Sequence, residues 1–283
     1  MSSTDAQPVH HDRERAVPIH IDTTKASIAR VYDAFLGGKD NYEIDREVLR
    51  RVQTVAPEAA TLAVDNRSFL IRATRFIASQ TNIRQYLDCG SGLPTAENTH
   101  QVAQRLQPDS TVVYVDNDPV VVAHGRALLE ENDRTHFVAE DIFDPEALLS
   151  HEAVRRYIDF TEPVALFHLG TIHHYDGERS PGDIMRAYVD ALPSGSFVAL
   201  SHFFDPEVPE YTPLARRMED IFVHSPMGSG SFRTRAEIEE MFPGLDMIEP
   251  GITTCADWWP DGPQLKAHDA VSHCIVGGIG RKP

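Results

Sequence analysis

Three acids, each closing a short apolar run, are the residues whose types and spacing could do chemistry: Asp88 in QYLDCGSGLPT, Asp116 in VVYVDNDP and Asp141 in FVAEDIFDP. Asp88 is followed at two-residue intervals by Gly90 and Gly92, and a helical pattern opens after Pro94. Glycines in such a loop let the backbone approach a ligand with no Cβ in the way, and the first turn of the following helix presents N–H groups with no partner inside that helix. A phosphate is one possible occupant, but the spacing opposes it. The dinucleotide fingerprint G-x-G-x-x-G needs glycine at 95, which is Thr95, and a carboxylate at Asp88 would repel a pyrophosphate. A P-loop ending at Gly38-Lys39 fails as well, since its first glycine falls on Asp33 and its hydroxyl position on Asp40.

Asp88 suits instead a ligand that carries a positive amino group. Asp116, at the end of the next apolar run, suits a ribose diol, because one carboxylate accepts from two vicinal hydroxyls. Asp141 could accept from the exocyclic amine of adenine while the Ile142 N–H addresses a ring nitrogen. Amine, ribose and adenine together describe S-adenosyl-L-methionine. Each acid also has a plainer reading: Asp116 could share helix capping with Asp118, and Asp141 could be a turn acid before Pro145.

The elements that must position these acids follow from periodicity. Ile28, Val31, Tyr32 and Phe35 recur at helical spacing until Gly37-Gly38 halts them; a second helix follows near 45–54, and a third carries Leu62, Phe69, Leu70, Ala73, Phe76 and Ile77. Then come five short apolar runs at 85–88, 111–116, 136–141, 164–169 and 196–201, separated by helical stretches. Strand–helix alternation of this kind predicts a parallel, doubly wound α/β sheet with its ligand edge at the strands' carboxyl ends. Runs at 245–250 and 272–278 complete a seven-stranded sheet, and Thr234 with Glu237 forms a capping box. The expected organisation is a flexible arm over 1–22, a helical cap over 23–82 and a sheet domain over 83–283 with an insertion at about 203–235.

Over roughly Ser27 to Gly280 the chain resembles the class I, Rossmann-like SAM-dependent methyltransferases, and most closely the bacterial S-adenosyl methyltransferase family formerly described as a domain of unknown function. The motifs that carry this are ARVYDAFLGGKDNY (29–42), QYLDCGSGLPT (85–95), VVYVDNDPVV (112–121), FVAEDIFDP (137–145) and LFHLGTIHHY (166–175). The resemblance implies a sheet of order 3-2-1-4-5-7-6 with strand seven antiparallel, S-adenosyl-L-methionine as cofactor and S-adenosyl-L-homocysteine as product. It implies Asp88, Gly90 and Gly92 near the methionine moiety, Asp116 on ribose, Asn117 beside adenine, and Asp141 with Ile142 on the adenine edge. It implies no acceptor. The wider superfamily has a third glycine where this chain has Pro94.

In related small-molecule methyltransferases an N-terminal helical segment covers the cofactor, and its Tyr-Asp pair resembles Tyr32-Asp33. Tyr32 is therefore a candidate for the cofactor carboxylate; Arg67 is another, with a plain surface charge as the alternative, and Lys39, Asp40 and Asn41 are candidates for a lid loop that could equally be a plain turn. His168 and His173 are the candidate general bases, with a cavity-wall role as the alternative. No metal is expected, because adjacent histidines diverge and no third ligand lies at helical spacing. Trp258-Trp259 reads as core or pocket wall.

The composition narrows the partners. Among 283 residues, 26 Lys+Arg stand against 43 Asp+Glu, and the net charge of -17 opposes nucleic-acid and anionic-membrane binding. Cys89, Cys255 and Cys274 form no C-x-x-C pair, so a reducing, cytoplasmic setting is expected. The acceptor is expected to be a small neutral or cationic metabolite. A non-catalytic SAM-binding protein that keeps the same fold is the alternative.

Overall fold

The computed structural model describes residues 21–283 apart from 96, 129–131 and 264–266. Most of the arm read at 1–22 lies outside the described residues. The five apolar runs become strands β1 (Gln85–Cys89), β2 (Thr111–Val115), β3 (Thr135–Val138), β4 (Ala165–Leu169) and β5 (Phe197–Phe203), all paired in parallel. After β6 (Asp246–Met247) and β7 (Thr253–Thr254), the last strand β8 (Ile275–Arg281) inserts antiparallel between β5 and β6. The order is β3-β2-β1-β4-β5-β8-β6, with β7 pairing on β8. The sheet thus has eight strands where the sequence predicts seven. The additional strand is two half-buried threonines, which offer no apolar run to read.

Ten α-helices lie among the described residues. They are α1 (Ile28–Phe35), α2 (Glu43–Gln53), α3 (Ala60–Gln80), α4 (Thr99–Leu106), α5 (Pro119–Leu128), α6 (Pro145–Ser150), α7 (Glu152–Tyr157), α8 (Pro181–Ala191), α9 (Thr212–His224) and α10 (Arg235–Glu239). The helical stretch between β3 and β4 is broken at His151, which ends α6 and caps α7 by accepting the Ala153 N–H at 3.2 Å.

Alternation along the strands splits the core in two. Tyr86, Val112 and Phe167 pack with Phe69 and Ile77 of α3 on one face; Leu87, Val113 and Leu166 pack with Ile184 and Tyr188 of α8 on the other. Each such side chain removed from water stabilises the fold by about 1.5–3 kcal/mol. The helix α3 is part of this layering and not only a cap. Its middle lies so close to β8 that a Cβ on Gly277 would stand 2.6 Å from the Phe69 ring.

The start of α3 and the whole of α1 cover the strands' carboxyl ends. The elbow between α1 and α2 is held by Arg30, whose Nε donates to Asp45 at 2.9 Å with both side chains buried. Asp45 also accepts the Ser27 and Tyr42 N–H groups at 3.1 and 2.8 Å. Removing either partner would strand a buried charge, so this pair specifies where the roof sits.

Candidate active site

A cavity of about 570 Å³ lies at the carboxyl ends of β1 to β5, roofed by α1 and the first turns of α3. That volume falls within the roughly 300–1,000 Å³ of small-molecule sites. Asp88, Asp116 and Asp141 all line it, as do Gly90, Gly92, Asn117, Ile142, Tyr32 and Arg67.

Asp88 ends β1 on the face toward α4, where it is 4% exposed and accepts the Thr99 hydroxyl at 2.6 Å. Burial raises its pKa to about 6, and the Thr99 bond and the Arg67 charge only partly oppose this. Gly90 and Gly92 then turn with φ of +78° and +63°, the left-handed region that favours glycine. A Cβ on Gly90 would come within 2.3 Å of the Thr171 methyl and 3.1 Å of Ile142 Cδ1, so this floor must remain bare backbone.

Asp116 draws the glycine loop to the end of β2: it accepts the Gly92 N–H at 3.0 Å and the Asp118 N–H at 3.0 Å. Its pKa is likewise raised to about 6 by burial. The capping role read as an alternative for Asp116 is taken by Asp118, which accepts the Val120 N–H at 2.7 Å and starts α5. Asp118 also accepts the Ser27 hydroxyl, a bond that fastens the roof to this end of the cavity. Asp141 does turn duty at the cavity edge, accepting the Phe143 N–H at 2.9 Å. The Ile142 carbonyl beside it accepts the Tyr188 hydroxyl at 2.8 Å.

The residues present fit the cofactor named above. A buried carboxylate with elevated pKa is a poor neighbour for phosphate and a good one for an ammonium, and the bare glycine floor gives close backbone approach. Arg67 Nη2 donates to the Glu97 carbonyl at 3.0 Å while facing the same cavity. Tyr32 donates its hydroxyl to the Ala63 carbonyl at 3.1 Å and accepts from Asn66 Nδ2 at 3.0 Å. Desolvation pushes the Tyr32 pKa up to about 12, so it works as a neutral donor.

Two expectations are corrected. His168 does not line the cavity. It alternates with Leu169, which does, and faces Tyr188 of α8 at 4.8 Å between ring centroids, fully enclosed. Its Nε2 has no hydrogen-bond partner among the described residues, and burial lowers its pKa to about 3. Lys39, Asp40 and Asn41 do not line the cavity either. Their turn folds onto Asp33, which accepts the Asp40 N–H at 2.9 Å and Asn41 Nδ2–H at 2.7 Å; a Cβ on Gly38 would overlap that carboxylate at 2.0 Å.

His173 does line the cavity, yet its Nδ1 accepts the Phe203 N–H at 3.2 Å. The neutral ring therefore carries its proton on Nε2 and presents a donor rather than a base. Burial holds its pKa well below the usual histidine range. Among the described residues no group of three or more His, Cys, Asp or Glu is placed to hold a metal. Trp258 is core, edge-on to Phe69 at 5.4 Å, while Trp259 is 47% exposed.

Sequence reasoning missed Asn66. It lines the cavity, is 3% exposed, and accepts the Ser201 hydroxyl while donating to Tyr32, so it ties the roof to the end of β5. The available signal was a polar residue inside the apolar stripe, four residues from both Leu62 and Leu70. Phe203, Phe222 and Met227, which also line the cavity, sat in stretches read only as an insertion.

Comparisons with known proteins identify the family. Residues 14–283 match a family model described as S-adenosyl methyltransferase. The fold is similar to the crystal structure of a candidate methyltransferase from Thermobifida fusca YX, 41% identical, covering 92% of this chain and 96% of that one with a TM-score of 0.86. It is equally similar to a DUF574 family protein from Streptomyces avermitilis MA-4680, 36% identical, covering 93% and 100% with a TM-score of 0.86. No curated protein matches the chain. The chain belongs to the S-adenosyl methyltransferase family, whose cofactor is S-adenosyl-L-methionine.

Proposed function

We propose that this protein catalyses methyl transfer from S-adenosyl-L-methionine to a small molecule held inside the roofed cavity. The observation that carries the reading is the meeting of Asp88, Asp116 and Asp141, from three successive strand ends, around one bare glycine floor. In this reading Asp88 holds the ammonium, Asp116 the ribose hydroxyls, and Asp141 with Ile142 and Asn117 the adenine, while Arg67 serves the carboxylate; Tyr32, whose single O–H goes to the Ala63 carbonyl, braces the roof instead. When bound, the cofactor supplies an electrophilic methyl group on a sulfonium. The chain supplies orientation and exclusion of water: Ser27 latched to Asp118 and Tyr32 latched to Asn66 keep α1 closed over the strand ends. Neither His168 nor His173 acts as a base, since one is outside the cavity and the other presents a donor.

A soluble, reducing setting is part of the proposal. It is supported by three buried free cysteines and by the lack, among the described residues, of a helix long and apolar enough to cross a membrane. The acidic balance likewise supports a partner other than nucleic acid.

Calorimetry with S-adenosylhomocysteine, S-adenosylmethionine and NAD tests the cofactor assignment, and transfer of a labelled methyl into cell extract tests the reaction. Binding of the two adenosyl ligands but not NAD, with labelled product, is expected. No adenosyl binding overturns the assignment; binding with no labelled product in any extract favours a non-catalytic binder.

A further inference from the structure

The cavity is divided by charge. All its formally charged lining residues, Arg67, Asp88, Asp116, Asp118, Glu140 and Asp141, come from α3 or from the ends of β1, β2 and β3. Beyond Gly170 the wall comes from β4, β5, α9 and β8 and holds none. Its members there include His173, Phe203, Phe222, Met227 and Ile275, with Phe35 opposite from α1. The Phe35 and Phe222 rings are in contact, 6.1 Å apart between centroids, so α1 closes directly onto α9 here.

The aromatic part of this wall is a stack. The His173 and Phe203 rings lie 3.6 Å apart and 14° from parallel, and Phe203 lies 5.4 Å from Phe222 at 8° and 4.8 Å from Phe232 at 19°. Rings at these separations cover one another's faces, so this side of the cavity is closely packed and mostly apolar.

The wall is also held neutral. His174 is pushed down to about 3 by burial, and its Nδ1 meets the Ser229 hydroxyl at 3.1 Å. Arg233 does not line the cavity; it donates to His202 Nε2 at 2.9 Å. A charged guest would be desolvated here with no partner. The polar side chains on this wall, Thr171, His173 and His174, carry no formal charge, since burial holds both imidazoles neutral.

Resting on the methyltransferase reading above, we infer that the acceptor is an uncharged, largely apolar molecule, because its end of the cavity carries no formally charged side chain. Both carboxylated and ammonium-bearing acceptors are excluded. This narrows the neutral-or-cationic metabolite expected from the sequence, because the acidic groups that would hold a cation all stand at the cofactor end.

The test is calorimetry on the full chain saturated with S-adenosylhomocysteine, titrated near neutral pH with 2-naphthol, 2-naphthoate and 2-(aminomethyl)naphthalene, which share one ring system and differ in charge. The expected result is that 2-naphthol binds at least about tenfold tighter than either charged analogue, the order of discrimination given by burying an unpaired charge. Met227→Glu should weaken 2-naphthol by about tenfold for the same reason, its S-adenosylhomocysteine isotherm serving as the check that the variant folds. A charged analogue binding as tightly as 2-naphthol, or no 2-naphthol binding while S-adenosylhomocysteine binds, overturns this inference and leaves the methyltransferase reading standing. Failure of S-adenosylhomocysteine to bind overturns both.

Discussion

At the ends of β1 and β2, Asp88 and Asp116 keep their protons up to about pH 6, whereas around the ends of β4 and β5, His174 on the cavity wall and His168 and His202 behind it give theirs up down to about pH 3. One cause, burial, moves the acids up and the bases down, because in each case it penalises the charged form. Near neutral pH the outcomes diverge. The carboxylates are ionised and ready for a cation; the imidazoles stay uncharged whatever enters. The cavity therefore joins an end built for a charged tail to an end that tolerates no charge.

The largest effect expected from this contrast is on acid stability. The histidines are neutral in the fold and would protonate in the unfolded chain below about pH 6.5, so their contribution is present above that pH and is lost as pH falls toward 3. For fully enclosed rings such as His168 and His202 the loss between pH 7 and pH 5 is roughly 2 kcal/mol each. The raised carboxylates act in the opposite sense, since their ionisation weakens the fold as pH rises from about 4 to 6, and they offset only part of it. Calorimetric melting from pH 7 to pH 5 should show a clear fall in Tm. A Tm that holds or rises at pH 5 would mean the rings are solvated.

Next in size is the glycine floor. Gly90→Ala forces a side chain into the left-handed region and against the Thr171 methyl, and should weaken S-adenosylhomocysteine by about a hundredfold or more. Gly92, with the same sign of φ, has nothing within 4 Å of an added Cβ, so Gly92→Ala should be the milder change. Equal losses would show that backbone conformation rather than space sets the floor.

Asp88→Asn comes third. Replacing a charge-assisted hydrogen bond with a neutral one should weaken S-adenosylhomocysteine by about 10–100-fold. In the unaltered chain the ligand's ammonium competes with the proton on Asp88, so affinity should fall about tenfold from pH 7 to pH 5. The variant should lose that part of the pH dependence. A wild-type affinity flat over this range would separate Asp88 from the ammonium.

The difference between the two ends also governs what the sequence could reveal. The cofactor end is local: acid, glycines and helix start sit within a few residues of one another, and each strand carries its acid at its own terminus. The other end is assembled from β4, β5, α9 and the turn holding Met227, far apart in the chain, so no spacing announces it. His168 shows the sharper limit. An apolar run marks β4 as a strand buried on both faces, but such a run carries no alternation to say which residues face which side. Parity places Leu169 in the cavity and His168 against α8, and only the packing decides it. Asn66 escaped for the converse reason, being one polar position in a stripe read as core.

The smallest effect should come from His168→Leu, and it is the most discriminating. His168 Nε2 is buried without a partner and its Nδ1 meets only the Thr171 hydroxyl at 3.4 Å, so an apolar side chain of similar size removes a desolvation penalty and little else. Tm should stay level or rise, and labelled-methyl transfer should remain within about threefold of the unaltered chain. A general base in the same position would instead lower turnover by about a hundredfold or more. That outcome would place a proton acceptor behind β4, reached by movement of the sheet edge, and would remove the division between a charge-bearing and a charge-free end.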